Sequence, residues 1–464
     1  MGLTLIRKSR PRKRRNSRIA LVLAGGAVTG GAFKMGGLKA LNDFLVGRDI
    51  VDFDIYVGLS AGALLSVPLA AGFTPDEMIQ IIDGTSTRFD PLRPVDIYTP
   101  NGRELIGRPA RLAAEFATWY PSVLVDFVRG LPSLPATFHD ALGELLRSPD
   151  YLHLERMALR LRDEVSPSRP FPNVSNAIPS GLLTNAPLER WLRNNLEKIG
   201  MPNDFARFAA ERGRSLYIAA CELDTAERVI FGADEFDGAS ISEAVQASTA
   251  LPIFYKPARV HGVDYVDGGV RNTANIDVAI DKGADLVICY NPFRPIWNQP
   301  VPGQPRLRGP EAAPGVPVAQ ALEHADGRRI ADQGLKGVLN QVFRTLLQSR
   351  LRIGMERYRE SHFDGDIVLL EPKEHDLDFF SMNPMAFWKR DAAMRHGYES
   401  VRHTIEDRFD ELEEVFDQHG LRMSQAVASR RAAAVVRERG WNVPANQPHR
   451  AVRRKRTRTR ALEK

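Results

Sequence analysis

The chain has 464 residues, 43% hydrophobic and 26% charged, a globular composition with room for two or three average domains or one large α/β domain with insertions. Its two cysteines, Cys221 and Cys289, each stand alone in an apolar stretch, which excludes a disulfide framework and a cysteine metal site and suits a reducing compartment. The net charge of +6 sits at the ends: residues 7–18 carry eight basic side chains and no acid, residues 450–460 carry seven, and removing those fifteen leaves the body at −9.

From the N-terminus, residues 1–18 read as a disordered basic tail, because like charges repel and little in the segment can be buried. Residues 441–464 read the same way. The physical partner of such tails is a polyanionic surface, with anionic lipid headgroups foremost. Neither basic run carries an aromatic side chain for stacking, so sequence-specific nucleic-acid reading is not expected. No apolar h-region of a signal peptide follows the charged N-terminus, and Ile6 stands where a myristoylation signal needs Ser or Thr. The expected location is therefore the cytoplasm, free or peripherally on a membrane.

Ile19-Ala20-Leu21-Val22-Leu23-Ala24 is a continuous apolar run of strand length, as in a parallel strand buried on both faces. The loop Gly25-Gly26-Ala27-Val28-Thr29-Gly30-Gly31 follows, then a helical pattern from Phe33 to Leu45. Exposed N–H groups between a strand and a helix can cradle an anion. The loop lacks the spacing of a dinucleotide fingerprint and has no Gly-Lys-Ser/Thr for a P-loop, which leaves an oxyanion hole as its best chemical use. A second strand, Asp54 to Val57, runs into Gly58-Leu59-Ser60-Ala61-Gly62 and a helix beginning at Ala61. A G-x-S-x-G turn in that setting is a nucleophile elbow: Gly58 and Gly62 leave space for a sharp turn, and Ser60 projects at a helix N-terminus, where developing negative charge is favoured. Ile55 to Pro75 carries no charge over 21 residues, but its glycines, Pro68 and Pro75 mark strand, turn and buried helix rather than a membrane span.

Residues 84–180 read as a helical insertion, with helical patterns near 108–118, 138–147 and 152–164. Within it, Phe116 to Val128 is dense in aromatic and aliphatic side chains and suits either packing on a core or docking on lipid. Strand signals resume at Leu216–Cys221, Arg228–Phe231 and Asp285–Tyr290. Between them, Tyr265-Val266-Asp267-Gly268-Gly269 places an aspartate at a strand end before two glycines. His261, six residues earlier, reads as a surface-turn histidine. Residues 293–317 form a Pro-rich linker, with seven prolines and three glycines over 295–317. Residues 318–440 are mostly helical, with a strand at 366–370 and an acidic helical face from Glu406 to Asp417. Alternating strands and helices predict an α/β layered domain.

An ordinary Ser-acid-His hydrolase places its elbow after several strands. Here the elbow comes about 40 residues after the first strand, and no histidine lies in a suitable strand-end setting. The Gly-rich loop after strand one, the early G-x-S-x-G and the late D-G-G, with Ala244 to Pro252 and Asn272 to Ala284 around the last, together resemble the patatin-like phospholipases. The likeness covers roughly residues 18–83 and 181–292. It implies a three-layer α/β/α fold with a mainly parallel central sheet, a catalytic domain over 19–292, and a lipid acyl ester as substrate. It implies Ser60 as nucleophile, Asp267 as its partner in a Ser–Asp dyad, Gly25, Gly26 and Ala27 as the oxyanion hole, and Gly30, Gly58, Gly62, Gly268 and Gly269 as motif glycines. No metal or cofactor is required. Two departures stand out: Ala27 replaces the third glycine of the loop, where its N–H can donate if its φ is negative, and Thr29 stands where many members carry Arg or Lys. Acyl transfer through the same acyl-enzyme, and a non-catalytic lipid-binding scaffold, are the alternative readings.

Overall fold

A computed structural model of the protein describes residues 2–8, 17–130, 173–236, 238–296, 330–373 and 376–441, together with Gly143, Leu146 and Arg147. It divides into two compact units, one of residues 1–94, 188–249 and 258–464 and another of residues 95–187 and 250–257. Most of the predicted helix at 138–147, the predicted helix at 152–164, most of the Pro-rich linker and the C-terminal basic run lie outside the described residues.

The larger unit is built on one nine-stranded sheet. Its strands are β1 (Leu3–Arg7), β2 (Ile19–Leu23), β3 (Ile55–Leu59), β4 (Ser215–Glu222), β5 (Arg228–Phe231), β6 (Ala258–Val260), β7 (Val263–Asp267), β8 (Leu286–Tyr290) and β9 (Asp366–Leu370). Their order is β1-β9-β8-β2-β3-β4-β7-β6, with β5 also on β4. The five central strands, β9, β8, β2, β3 and β4, are mutually parallel; β1, β5, β7 and β6 add antiparallel edges.

The central strands are buried on both faces because their apolar runs do not alternate with polar residues. In β2, Ile19, Leu21 and Leu23 join one hydrophobic core, while Ala20 and Val22 join a second core on the opposite face. In β8, Leu286, Ile288 and Tyr290 oppose Val287 and Cys289 in the same way. This is the period-2 geometry of a strand sandwiched between helical layers. The first core is closed by helix α1 (Ala27–Phe44), through Phe33, Leu38, Leu41 and Phe44, and by α2 (Ala61–Ala70) and α3 (Ile241–Ser248). The second is closed by the helix Ile276–Asp281 and by Leu351 and Met355 of α4 (Gly334–Glu360). Helix α5 (Arg390–Asp407) packs on α1 through Ala393, Met394 and Val401. Helix–sheet–helix layering is thus as predicted, and Cys221 and Cys289 are both free and buried.

The expectation of a disordered segment over 1–18 needs correction. Residues 3–7 pair antiparallel with β9 from Leu3–Leu370 to Arg7–Asp366. Leu3 and Ile6 are buried there, and Arg7 leaves the sheet to pair with Glu414 at 2.7 Å. The apolar part of the segment suffices for an edge strand, since the dense basic run begins only where the strand ends; residues 9–16 lie outside the described residues.

The smaller unit contains the helix Gly102–Gly130 and a short parallel pair, Gly181–Leu183 with Ile253–Tyr255. The Tyr255 hydroxyl donates to the Ile97 carbonyl at 3.0 Å. The Phe116–Val128 segment lies within the helix, where Tyr120, Leu124 and Val128, one turn apart, are exposed. No helix among the described residues is long and apolar enough to cross a membrane.

Candidate active site

Parallel α/β sheets bind ligands beyond the carboxyl ends of their strands, where strand-to-helix turns present backbone N–H groups. Here β2 and β3 are neighbours, and both predicted loops emerge at that end: Ala24 to Gly26 from β2, Ser60 from β3. Sequence puts the loops 35 residues apart, and the parallel pairing places them side by side. A Cβ placed on Gly25 would lie 3.5 Å from the Ser60 Cβ.

Ser60 is the N-cap of α2 with φ 55° and ψ −127°, a backbone region that side chains other than glycine rarely adopt. Its surroundings impose this geometry. A Cβ on Gly62 would collide with the Leu23 carbonyl, and one on Gly58 with the Ser66 hydroxyl, so both motif glycines permit close approach. The Ser60 N–H donates to the Ser248 hydroxyl at 2.8 Å, and Ser248 donates to the Ala219 carbonyl at 2.6 Å. Ser248, at the end of α3, therefore ties the elbow to β4. Sequence reasoning passed over it because one serine at a helix end carries no distinguishing signal.

Asp267 ends β7, which pairs with β4 so that Asp267 faces Ala220. Its buried carboxylate accepts the Gly269 N–H at 2.8 Å, and the Ser60 hydroxyl favours its charged form. Gly268 packs against Leu59 and the Ala219 carbonyl. Burial pushes the Asp267 carboxyl up to about 6; the bonds from Ser60 and Gly269 and the charge of Lys34 work in the opposite direction. At neutral pH the group is thus mostly ionised yet close to its titration, which suits a proton acceptor.

The Gly-rich loop opens α1. Gly30 N–H returns to the Gly26 carbonyl at 2.9 Å, as in a first helical turn. The N–H groups of Gly25, Gly26 and Ala27 have no backbone acceptor among the described residues, as the start of a helix leaves them. Ala27 has φ 49°, so the negative φ on which its role as a donor is conditioned is not met, but its N–H is left without a backbone acceptor among the described residues all the same. The loop needs a left-handed residue at this position, which is why glycine suits it. Thr29 is buried and directed elsewhere, its N–H on the Pro384 carbonyl at 3.0 Å.

The cation missing at position 29 has a counterpart that sequence reasoning missed. Lys34, one and a half turns further along α1, is fully buried, and its Nζ donates to the carbonyls of Ala24 and Gly25, the latter at 3.2 Å. Burial pulls its ammonium down to about 7, against the opposing pull of the Asp267 carboxylate. The signal available in sequence was a lysine on the apolar face of a buried helix. Alone it reads as a solvated side chain; only the fold shows that Ala24 and Gly25 return to cap it.

No described histidine bonds to Ser60 or Asp267. His261 occupies the turn between β6 and β7 and lies 3.7 Å from Glu243. A Ser-His-Asp chain does exist elsewhere: Ser17 Oγ to His419 Nδ1 at 3.0 Å, and His419 Nε2 to Asp366 Oδ2 at 2.9 Å. Asp366 is the first residue of β9, in register with the first residues of β8 and, through it, β2. That buried cluster therefore closes the amino edge of the sheet, the opposite end from Ser60, and is structural. Among the described residues no group of acids, histidines and cysteines could hold a metal ion.

A family profile described as Patatin-like phospholipase matches residues 21–280. Among solved structures the chain is similar to VipD from Legionella pneumophila, at 13% identity over 96% of both chains with a TM-score of 0.31. It is also similar to the type III effector ExoU, at 14% identity over 88% of this chain and 55% of that one, again with a TM-score of 0.31. Full-length ExoU of Pseudomonas aeruginosa in complex with SpcU matches at 17% identity, over 94% of this chain and 70% of that one, with a TM-score of 0.28. The family assignment rests on the profile match.

Proposed function

Because this chain belongs to the patatin-like phospholipase family, whose reaction class is lipid acyl hydrolysis, we propose that it is a serine acyl hydrolase working through a Ser60–Asp267 dyad. The observation that carries this reading is the placement of Ser60 on a strained strand-to-helix turn beside the buried Asp267 carboxylate, whose ionised form its hydroxyl favours.

Ser60 Oγ attacks the ester carbonyl carbon while its proton passes to Asp267. The tetrahedral oxyanion lies against the N–H groups of Gly25, Gly26 and Ala27, each such donor contributing about 3 kcal/mol where it has been removed in other hydrolases. Collapse breaks the ester C–O bond, and the proton held by Asp267 leaves with the alcohol or lysolipid. Water then attacks the acyl-enzyme, giving its proton to Asp267, and the fatty acid departs as Ser60 recovers its own. Lys34 contributes from behind the loop. By holding the Ala24 and Gly25 carbonyls away from the reacting centre it keeps the N–H groups directed toward it, and its charge favours an ionised Asp267. A carboxylate is a weaker base than imidazole, so esters are better substrates than amides.

The reading is tested with a fluorophosphonate probe and a short-chain p-nitrophenyl ester. Wild type should label at Ser60 and hydrolyse the ester, and Ser60→Ala and Asp267→Asn should each lose at least about a thousandfold. Wild-type rates in both variants would sink the dyad. Product analysis with an added alcohol acceptor separates hydrolysis from acyl transfer.

A further inference from the structure

Arg344, on α4, is buried to 3% exposure and faces no carboxylate among the described residues. Its Nε donates to Asn340 Oδ1 at 3.1 Å and its Nη1 to the Arg294 carbonyl at 3.2 Å, both neutral acceptors. The guanidinium sits 5.2 Å from the ring centre of Phe380, 5.8 Å from Phe293 and 5.9 Å from Phe379. Nη2 has no hydrogen-bond acceptor among the described residues. Burial pulls the group down to about 10, with no acidic neighbour among the described residues opposing it. A buried cation met only by neutral acceptors and aromatic rings is costly to a fold, and an arriving anion would balance it.

Its place in the fold says where that anion would lie. Phe293, whose ring Arg344 contacts, is 3.3 Å from where a Cβ on Gly25 would stand. One turn further along α4, the Leu347 carbonyl accepts the Thr273 hydroxyl at 2.8 Å, and its side chain reaches the same position on Gly269 at 3.8 Å. Helix α4 thus passes both halves of the proposed active site. A guanidinium fixed at Nε and Nη1 and open at Nη2 suits an oxygen of a phosphate.

We propose that Arg344 is an anion subsite beside the oxyanion loop that takes the phosphodiester of a glycerophospholipid substrate. This deepens the acyl-hydrolase reading and rests on it. The subsite is measured first without turnover, by calorimetric titration of glycerophosphocholine and, separately, inorganic phosphate into Ser60→Ala, Ser60→Ala/Arg344→Met and Ser60→Ala/Arg344→Lys. Removing a charge-assisted hydrogen bond should weaken glycerophosphocholine about tenfold to a hundredfold in the Met variant and less in the Lys variant. In Arg344→Met, the ratio of kcat/KM for dihexanoyl phosphatidylcholine to that for p-nitrophenyl butyrate should fall by a similar factor. Thermal melts of each variant establish that it is folded, and the Lys variant covers failure of the Met one. Affinities for both glycerophosphocholine and inorganic phosphate that are unchanged in the Met variant overturn the subsite. Arg344-dependent binding of inorganic phosphate with an unchanged ratio overturns the lipid assignment in favour of free phosphate. If Ser60→Ala still hydrolyses both esters, the catalytic reading fails, while the titrations continue to judge the subsite.

Discussion

Replacing Lys34 by Met separates a residue that positions the active site from one that merely fills the core. Lys34 has its ammonium pulled from an ordinary 10.5 to about 7, so holding the charge in the interior costs roughly 4–5 kcal/mol below pH 7. Methionine has similar length and removes that cost. It also strips the donor from the Ala24 and Gly25 carbonyls, at about 1–3 kcal/mol each. The terms oppose, so Lys34→Met should change the unfolding free energy by less than about 3 kcal/mol. Activity should fall far more. With the loop carbonyls released, the oxyanion donors lose their orientation, and about a hundredfold in kcat is at stake. The charges facing Lys34 are few. Asp267 is the opposing carboxylate, and the Cys289 thiol is pushed far up by burial and stays neutral. The wild-type profile of kcat/KM should therefore rise through about 6 as Asp267 ionises and fall above about 7 as Lys34 loses its proton. In Lys34→Met the alkaline limb should vanish and the acid limb should move upward, because the charge favouring the Asp267 carboxylate is gone. Denaturant unfolding and pH–rate profiles on a p-nitrophenyl ester measure both effects. A variant that keeps wild-type kcat and both limbs would refute the positioning role, and so would activity loss that merely tracks lost stability.

Asp267→Asn should abolish activity yet raise stability at neutral pH by about 1–3 kcal/mol, since the folded carboxyl titrates near 6 rather than 3.8; the gain should shrink as pH falls through that window, where the folded carboxyl takes up its proton. Denaturant melts at pH 7 and pH 4 test the sign. Ala27→Gly should relieve left-handed strain and stabilise by up to about 1 kcal/mol, whereas Ala27→Val should destabilise by more than about 1 kcal/mol; two melting curves decide it. Ser248→Ala leaves the buried Ser60 N–H without its acceptor, costing about 1–3 kcal/mol of stability and lowering kcat through the displaced elbow. Deleting residues 442–464 should weaken flotation with anionic vesicles at low salt and make little difference at high salt, because screening removes the basic run's attraction.

The proposed nucleophile and its proposed acid partner are legible in the chain because each sits in a local motif whose residue types are forced. A strand that turns straight into a helix at a serine needs glycines on both sides, and Asp267 precedes two glycines that let Leu59 and Ala219 close in. The central strands are legible for a similar reason, since an unbroken apolar run of five or six residues can only be a strand covered on both faces. The edge strand at residues 3–7 was obscured by the charges that follow it. What covers the sheet edge is decided by β9, more than 350 residues away. Ser248 and Arg344 had no local signature, and Lys34 showed only as a lysine on the apolar face of a helix. Each acts on a group brought to it by the parallel register of β2, β3 and β4 or by the return of α4: a carbonyl of another segment, an N–H 188 residues away, a ring beside the oxyanion loop. Sequence determines backbone geometry wherever sterics within a few residues leave one solution. Only the tertiary structure decides which charges are buried and what they face, because the cost of burying a charge is set by neighbours from every part of the chain.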